Sequence, residues 1–158
     1  MPVKIYWLVE HKVSYFKYIG DVTLEELQEA AEIGIQMLDE STDTPLVHTL
    51  QDGQAMTQFP SNLGQVAKLS RAAHTHPQMG WSISVGILEP ITKFISATVS
   101  QIMRSRQRFT DTLPEALTFL NHVDATLPDL TTIDRDALTL YARVDENETT
   151  RNVPSDRV

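Results

Sequence analysis

The sequence predicts an α/β fold, in which a mixed sheet of about five strands begins with an antiparallel hairpin and continues as β-α repeats with helices packed on the sheet. Three features of the chain predict this fold. Two strand-like segments stand at its start, capping boxes open helices at Thr23 and Thr112, and an apolar repeat of helical period runs from Ile91 to Met103. Strands that alternate with helices after a hairpin indicate a mixed sheet with right-handed crossovers.

The hairpin is predicted within residues 5–19. Ile5, Trp7 and Val9 alternate with other apolar residues, so both faces of the first strand are expected to be covered. A second strand over residues 13–19 is rich in β-branched and aromatic residues. Only a tight turn near His11 and Lys12 separates the two strands, and so short a link implies that they are antiparallel.

Two helices and a short strand are predicted next. The capping box at Thr23 and Glu26 opens a helix that should end near Leu38. Its expected inner stripe is Leu24, Leu27, Ala31, Ile35 and Leu38. A strand over residues 46–50 should end at Asp52 and Gly53, and a loop should lead to a second helix over residues 62–73. The inward residues of that helix should be Leu63, Val66, Ala67 and Leu69.

The second half of the chain continues the alternation. A strand is expected over residues 81–87, with small residues on one face that would let a helix lie close; these are Ser82, Ser84 and Gly86. Its other face is Trp81, Ile83, Val85 and Ile87. Pro90 then begins a helix with an uninterrupted apolar stripe that ends near Met103. A short edge strand over residues 106–109 leads into a last helix with the stripe Ala116, Leu117, Phe119 and Leu120.

These elements predict one domain over residues 1–125. Residues 126–144 form a C-terminal extension. The sequence is compatible with either a short helix or a docking strand in this segment. Residues 145–158 are polar and are expected to be a disordered tail.

Composition limits the class of protein. The chain has 158 residues, no cysteine and a net charge of −8. No apolar run approaches the roughly 18 residues of a membrane-spanning helix, and the strand-like start leaves no room for a signal peptide, so we expect a cytoplasmic protein without a transmembrane segment. The absence of cysteine excludes disulfides, thiolate metal sites and cysteine nucleophiles. The negative charge argues against nucleic acid as a partner.

The charges are unevenly distributed along the sequence. Acidic residues cluster between Asp21 and Asp43, where there is no Lys or Arg, and basic residues dominate from Gln54 to Arg108. A possible basic partner patch consists of Lys68, Arg71, Arg104, Arg106 and Arg108. The charges are explained either by solvated helix faces or by a dipolar surface that docks a charged protein partner or a second copy, as a weak homodimer.

No catalytic, metal or cofactor site can be assembled from the sequence. His74 and His76 could bind a metal ion, with His48 as a third ligand. They are a weak signal, because their segment is loop-like and has no nearby carboxylate. Serines lack the Gly-x-Ser-x-Gly setting, and no glycine cluster could cradle a phosphate. Three apolar residues in predicted loops are candidate site residues, because they could cover an apolar pocket or contact a partner. They are Met56, Phe59 and Met79.

The hairpin start, the strand–helix alternation and the closing run from Arg108 to Leu120 resemble the STAS superfamily of sulfate-transporter and anti-sigma-factor-antagonist domains. The resemblance covers roughly residues 4–123. It implies a compact α/β domain that binds protein partners, with a phosphorylated serine at the start of the second helix. Ser61 matches that serine in position, but the family's flanking Asp and second serine are missing, so Ser61 is a candidate for a phospho-switch or for the helix N-cap. The CRAL-TRIO lipid-transfer proteins have a similar architecture and enclose an apolar ligand.

Two function hypotheses follow. The first is a non-enzymatic regulatory or protein-interaction module of STAS type. The alternative is a protein that binds a small apolar ligand or lipid, which an internal cavity would favour. A third hypothesis, an unrecognised hydrolase, lacks a catalytic constellation.

Overall fold

The computed structural model describes residues 3–86, 106–145 and 149–151. The elements in chain order are β1 (Val3–Val9), β2 (Val13–Asp21), α1 (Leu24–Glu40), β3 (Val47–Gln58), α2 (Leu63–His74), β4 (Met79–Val85), β5 (Gln107–Thr110), α3 (Leu113–Val123), β6 (Leu140–Val144) and β7 (Thr149–Arg151). Two short 3-10 turns, Leu130–Thr132 and Arg135–Ala137, precede β6. The helix predicted from Pro90 lies outside the described residues, as does Arg104.

The described strands form one mixed sheet in the order β5-β4-β3-β2-β1-β6-β7. β1 and β2 are an antiparallel hairpin, as predicted, and β2, β3, β4 and β5 are mutually parallel. β6 is antiparallel to β1, and β7 is antiparallel to β6. The α/β class and the mixed sheet are therefore confirmed, while the sheet has seven strands in the described part of the chain instead of about five. None of the described helices is both long and apolar enough to cross a membrane.

β3 is much longer than the sequence analysis predicted. It does not end at Asp52 and Gly53, because β2 continues beside it and offers partners as far as Asp21, which pairs with Gln58. A register shift between Asp52 and Ala55 absorbs the turn-like dipeptide within the strand. The predicted loop from Gln54 is therefore mostly strand.

α1 begins at the predicted capping box, in which Thr23 accepts from the Glu26 N–H and the Glu26 carboxylate accepts from the Thr23 N–H. The predicted inner stripe is only partly correct. The buried apolar residues are Ala30, Ile33, Met37 and Leu38. The helix has two neighbouring apolar stripes. The sheet covers the stripe of Ala30, Ile33 and Met37, which was not predicted. Of the predicted stripe, Leu24 and Leu27 pack instead with Val66 of α2, and Leu38 is buried with Val47 and Met79.

α3 packs on the opposite face of the sheet. Leu113, Ala116, Leu117 and Leu120 are buried there in one cluster with residues of β2, β3 and β4, which confirms the predicted position of this helix; Phe119 is half-buried. Its N-cap is Thr112, whose hydroxyl accepts from the Glu115 N–H at 3.4 Å. The cluster includes Leu50, Ile83 and Val85 from the centre of the sheet.

The C-terminal extension belongs to the folded domain. Ala142 and Val144 of β6 are fully buried and join the core beneath α1 together with Val3 and Ile5 of β1. Residues 126–144 therefore contain both of the predicted structures, two short 3-10 helices and then a strand that docks on β1. β7 lies within residues predicted to be a disordered tail and pairs with β6.

Candidate functional site

A cavity of about 100 Å³ lies between the sheet and the two helices α1 and α2. The sheet forms its floor, through residues of β2, β3, β4 and β5, and the helices form its walls. Gly34 of α1 faces Phe16 of β2, where an added Cβ would lie 3.2 Å from the ring. The glycine therefore lets α1 approach the sheet closely along one side of the cavity.

The walls of the cavity are apolar. Their side chains come from α1, from α2, from β2 and from the two ends of the β3–β4 connection. The apolar and aromatic residues are Phe16, Tyr18, Leu27, Ala30, Ala31, Leu38, Met56, Phe59, Val66, Leu69, Ala73 and Met79. Such walls are typical of sites for ligands with an apolar body.

The floor is polar, although it lies beneath two helices. Alternate residues of three neighbouring strands point to this side, and they are Thr49, Gln51, Ser82, Ser84 and Gln107. Ser82 is 1% exposed and Ser84 is 4% exposed. The inner face of a covered sheet is normally apolar, so a row of buried hydroxyl groups and half-buried carboxamides needs an explanation.

Two polar atoms of the floor are buried without a hydrogen-bond partner among the described residues: Ser82 Oγ and Gln107 Oε1. Ser82 and Gln107 are register partners on the parallel strands β4 and β5, so their side chains stand next to each other on one face. Thr49, by contrast, accepts a hydrogen bond from Ser14 at 3.1 Å. A buried polar group left unpaired costs about 1–3 kcal/mol, which a bound hydroxyl or water would relieve.

The cavity carries no formal charge in the part of its lining that the structure describes. Tyr18 is its one ionisable residue there, and burial raises the pKa of its phenol, so the group stays protonated at neutral pH. A charged ligand would lose its hydration without gaining a counter-charge from these side chains. The described lining therefore suits an uncharged molecule.

Met56, Phe59 and Met79 all line this cavity. Two of them are not loop residues as predicted. Met56 lies in β3, because that strand continues past the predicted turn, and Met79 is the first residue of β4 and is 7% exposed. Phe59 follows β3 directly and packs with Val66. Their convergence on one cavity is a feature that sequence alone could only suggest.

Ser61 is exposed and is not the cap of α2. The N-cap is the next residue, Asn62, whose Oδ1 accepts from the Gln65 N–H at 3.2 Å. The prediction that Ser61 caps the helix is therefore wrong by one position. The assignment of Ser61 as a phospho-switch stays a prediction.

The described members of the predicted basic patch lie on two sides of the sheet. Lys68 and Arg71 are exposed on α2. Arg108 lies over the Phe119 ring of α3, 4.3 Å from its centroid, because strand alternation turns it away from the cavity side that holds Gln107. Arg106 is exposed just before β5 and donates to the Met79 carbonyl oxygen at 3.4 Å. Since Lys68 and Arg71 lie on α2 and Arg108 lies against α3, the predicted residues do not form one continuous patch.

A second polar cluster lies on the α3 side of the sheet. His48 is 2% exposed; its Nδ1 accepts from the Trp81 N–H at 2.9 Å, and its Nε2 lies 2.8 Å from Asp124 Oδ2. Both ring nitrogens are therefore engaged, which leaves no lone pair for general-base catalysis. Within the described ranges, no group of three or more His, Asp or Glu residues could hold a metal ion.

The same side holds a buried tyrosine–carboxylate pair. Tyr15 donates to Asp52 Oδ2 at 2.6 Å. Burial, this hydrogen bond and the Asp52 charge all raise the pKa of the Tyr15 phenol. A phenol with a raised pKa is a poor nucleophile at neutral pH, so the pair does not suggest catalysis.

No protein-family model matches this chain, and no curated protein matches its sequence. The polar floor was not predicted from the sequence. The alternation of Ser82 and Ser84 with large apolar residues was a usable signal, whereas Gln107 stands between two arginines and resembled a surface residue of an edge strand.

Proposed function

We propose that this protein binds a small ligand in the cavity between α1, α2 and the polar floor of the sheet. The observation that carries the proposal is the cavity itself, which combines apolar walls with buried, unpaired polar atoms. Protein interiors are close-packed and hold few voids larger than a water molecule. Space that is both roomy and polar is typical of a binding site.

The volume limits the size of the ligand. At about 100 Å³ the cavity has room for roughly three waters, and an apolar cavity of about 150 Å³ is known to accept benzene. Drug-sized ligands occupy pockets of about 300–1,000 Å³. The proposal is therefore a small ring that lies partly outside the cavity, or the buried end of a longer molecule, and not a fully enclosed lipid.

The chemistry of the lining supports binding without turnover. Its described polar groups are hydroxyls and carboxamides, and Tyr18 keeps its proton. General acid–base catalysis needs a group that changes protonation near the working pH, and covalent catalysis needs an activated nucleophile. The regulatory hypothesis stays a prediction; its switch serine would stand at the cap of α2, where Asn62 lies instead.

Methionine-methyl NMR tests the proposal with toluene as the probe. Met56 and Met79 line the cavity, while Met37 is 1% exposed in the neighbouring core and does not. In protein labelled with ¹³C at the methionine methyls, toluene should shift the Met56 and Met79 signals saturably and leave Met37 unchanged. No saturable shift, or an equal shift of all three signals, would contradict the proposal.

A matched pair of variants tests whether toluene binds in this cavity. Ala73 lines the cavity from α2, and its neighbour Ala72 is exposed on the same helix. Ala73→Leu should fill the space and abolish the toluene-induced shifts, whereas Ala72→Leu should preserve them. Unchanged binding by folded Ala73→Leu would place the toluene site elsewhere.

A further inference from the structure

Resting on the proposed function, we propose that the ligand is an uncharged alcohol or phenol. Its hydroxyl group donates a hydrogen bond to Gln107 Oε1 and accepts one from the Ser82 hydroxyl. Its apolar body lies against the walls that α1 and α2 provide. The shape of the site limits the size of the ligand, and its polar atoms indicate the chemical class of the ligand.

The two unpaired atoms lie where one ligand atom can reach both of them. Ser82 Oγ and Gln107 Oε1 are both buried and both belong to residues that line the cavity. Because these residues pair in register, neighbouring strands hold them about 4.8 Å apart at the backbone, within reach of one ligand oxygen. A single hydroxyl therefore satisfies both.

The two atoms differ in the type of hydrogen bond that each can make. A carboxamide oxygen only accepts, so the ligand must donate to Gln107. A serine hydroxyl can donate, so the same ligand atom must also accept. A hydroxyl group meets both requirements, whereas an ether, a ketone or a hydrocarbon cannot donate to Gln107.

The described lining of the cavity carries no formal charge. Burying a carboxylate or an ammonium group without a partner is far more costly than burying a hydroxyl that is hydrogen-bonded. The apolar walls, including Leu27, Val66 and Leu69, offer no compensation for a charge. The ligand is therefore neutral at the pH at which it binds.

Three probes of similar size test these arguments by NMR titration of the Met56 and Met79 methyls at pH 7. Toluene has no hydrogen-bonding group, phenol replaces its methyl with a hydroxyl, and benzoate carries a charge. Phenol stays neutral at this pH, because such groups have a pKa of about 10, while a carboxyl group of pKa about 4 is ionised. Toluene and phenol should both bind, and benzoate should not.

Two variants remove the polar contacts while nearly preserving the shape of the site. Ser82→Ala and Gln107→Met should each weaken phenol binding by about tenfold, the effect of losing one buried hydrogen bond, and should leave toluene binding unchanged or tighter. Ser61→Ala and Gln65→Met, at exposed positions outside the cavity lining, are the controls and should change neither affinity. Unchanged toluene binding also shows that each variant is folded.

The outcomes separate this inference from the proposed function. If toluene binds but phenol does not, or if benzoate binds as tightly as phenol, the ligand class is wrong and the binding site stands. Equal loss of phenol affinity in variants and controls would overturn the assignment of Ser82 and Gln107. If neither toluene nor phenol binds, the proposed function itself fails.

Discussion

Asp124 accepts the Nε2 proton of His48 at 2.8 Å, across 76 residues of sequence. The aspartate is the C-cap of α3, and the histidine lies in the middle of the sheet, so the contact joins the end of the last helix to β3. The Trp81 N–H occupies Nδ1, which fixes the tautomer with the proton on Nε2. The pair is a structural link between two layers of the fold.

Removing the aspartate should leave a buried N–H without a partner. Asp124→Ala is expected to lower the free energy of unfolding by about 1–3 kcal/mol, measured by urea denaturation. Asp129→Ala is a matched control, because Asp129 makes the same two contacts to Thr131 that Asp124 makes to Thr126, but does not contact His48. Equal losses in the two variants would show that the histidine contact contributes nothing.

The same carboxylate should make stability depend on pH. Its partial burial raises the pKa, but hydrogen bonds from the Thr126 hydroxyl, from His48 and from the Thr126 N–H outweigh burial and lower the pKa from 3.8 to about 2. A lowered folded-state pKa adds stability above the unfolded-state value, and this is lost as the pH falls from about 4 through 2. Asp124→Asn should therefore lose less stability than the parent between pH 5 and pH 2. A parallel decline of both proteins would contradict the assignment.

Gly80 should tolerate no side chain. A Cβ there would lie 2.5 Å from His48 Nδ1 and 3.2 Å from the Val47 carbonyl oxygen. Gly80→Ala is therefore expected to destabilise the protein by about 1–3 kcal/mol through overpacking, measured by thermal or urea unfolding. Gly64→Ala is the control, since its nearest neighbour would be Asn62 Oδ1 at 3.7 Å, and it should stabilise α2 by about 0.4–1 kcal/mol. The prediction fails if the two substitutions have the same sign.

Because Asn62 and not Ser61 caps α2, substitutions at these two neighbouring residues should differ in their effect on stability. Asn62→Ala should cost about 0.5–2 kcal/mol, because the Gln65 N–H loses its acceptor. Ser61→Ala should stay within about 0.5 kcal/mol of the parent, as for an ordinary surface substitution. Urea unfolding of the two variants measures both values, and the reverse order would place the cap at Ser61.

Removal of β6 should unfold the domain. Truncation before Leu140 deletes Ala142 and Val144 and exposes Val3 and Ile5, all four of which are fully buried. Far-UV circular dichroism should then show loss of the cooperative transition. Truncation after Asp145 removes β7 and keeps β6, so it should retain a cooperative transition. A normal melt of the shorter chain would contradict this role for β6.

The sequence predicted the local features of this fold better than its long-range pairings. Capping residues such as Thr23 and Thr112 mark helix starts through contacts within one turn. Both are the N-caps of their helices, and in the described residues the full reciprocal box forms at Thr23. The length of β3 depends instead on how far β2 continues beside it, and no local signal at Asp52 and Gly53 reports that. The sequence likewise did not decide between a helix and a strand for the residues of β6, because this strand forms only by pairing with β1 at the far end of the chain.

The candidate site was predictable in its apolar part. Met56, Phe59 and Met79 were identified as unusual, although the reason given, a loop position, holds only for Phe59. Gln107 could not be identified, because its importance comes from the register between β4 and β5 and from its alternation with two exposed arginines. Register of this kind is a tertiary property that one strand does not encode.

A crystal structure determined under xenon pressure tests the binding cavity most directly. Xenon binds against apolar cavity walls, so a xenon peak is expected beside the walls that Met56, Leu69 and Met79 help to form. Without xenon, the same crystals should show water or a retained ligand within hydrogen-bond distance of Ser82 Oγ and Gln107 Oε1. The account would be contradicted by density in which the protein's own side chains fill this space and pair with both atoms.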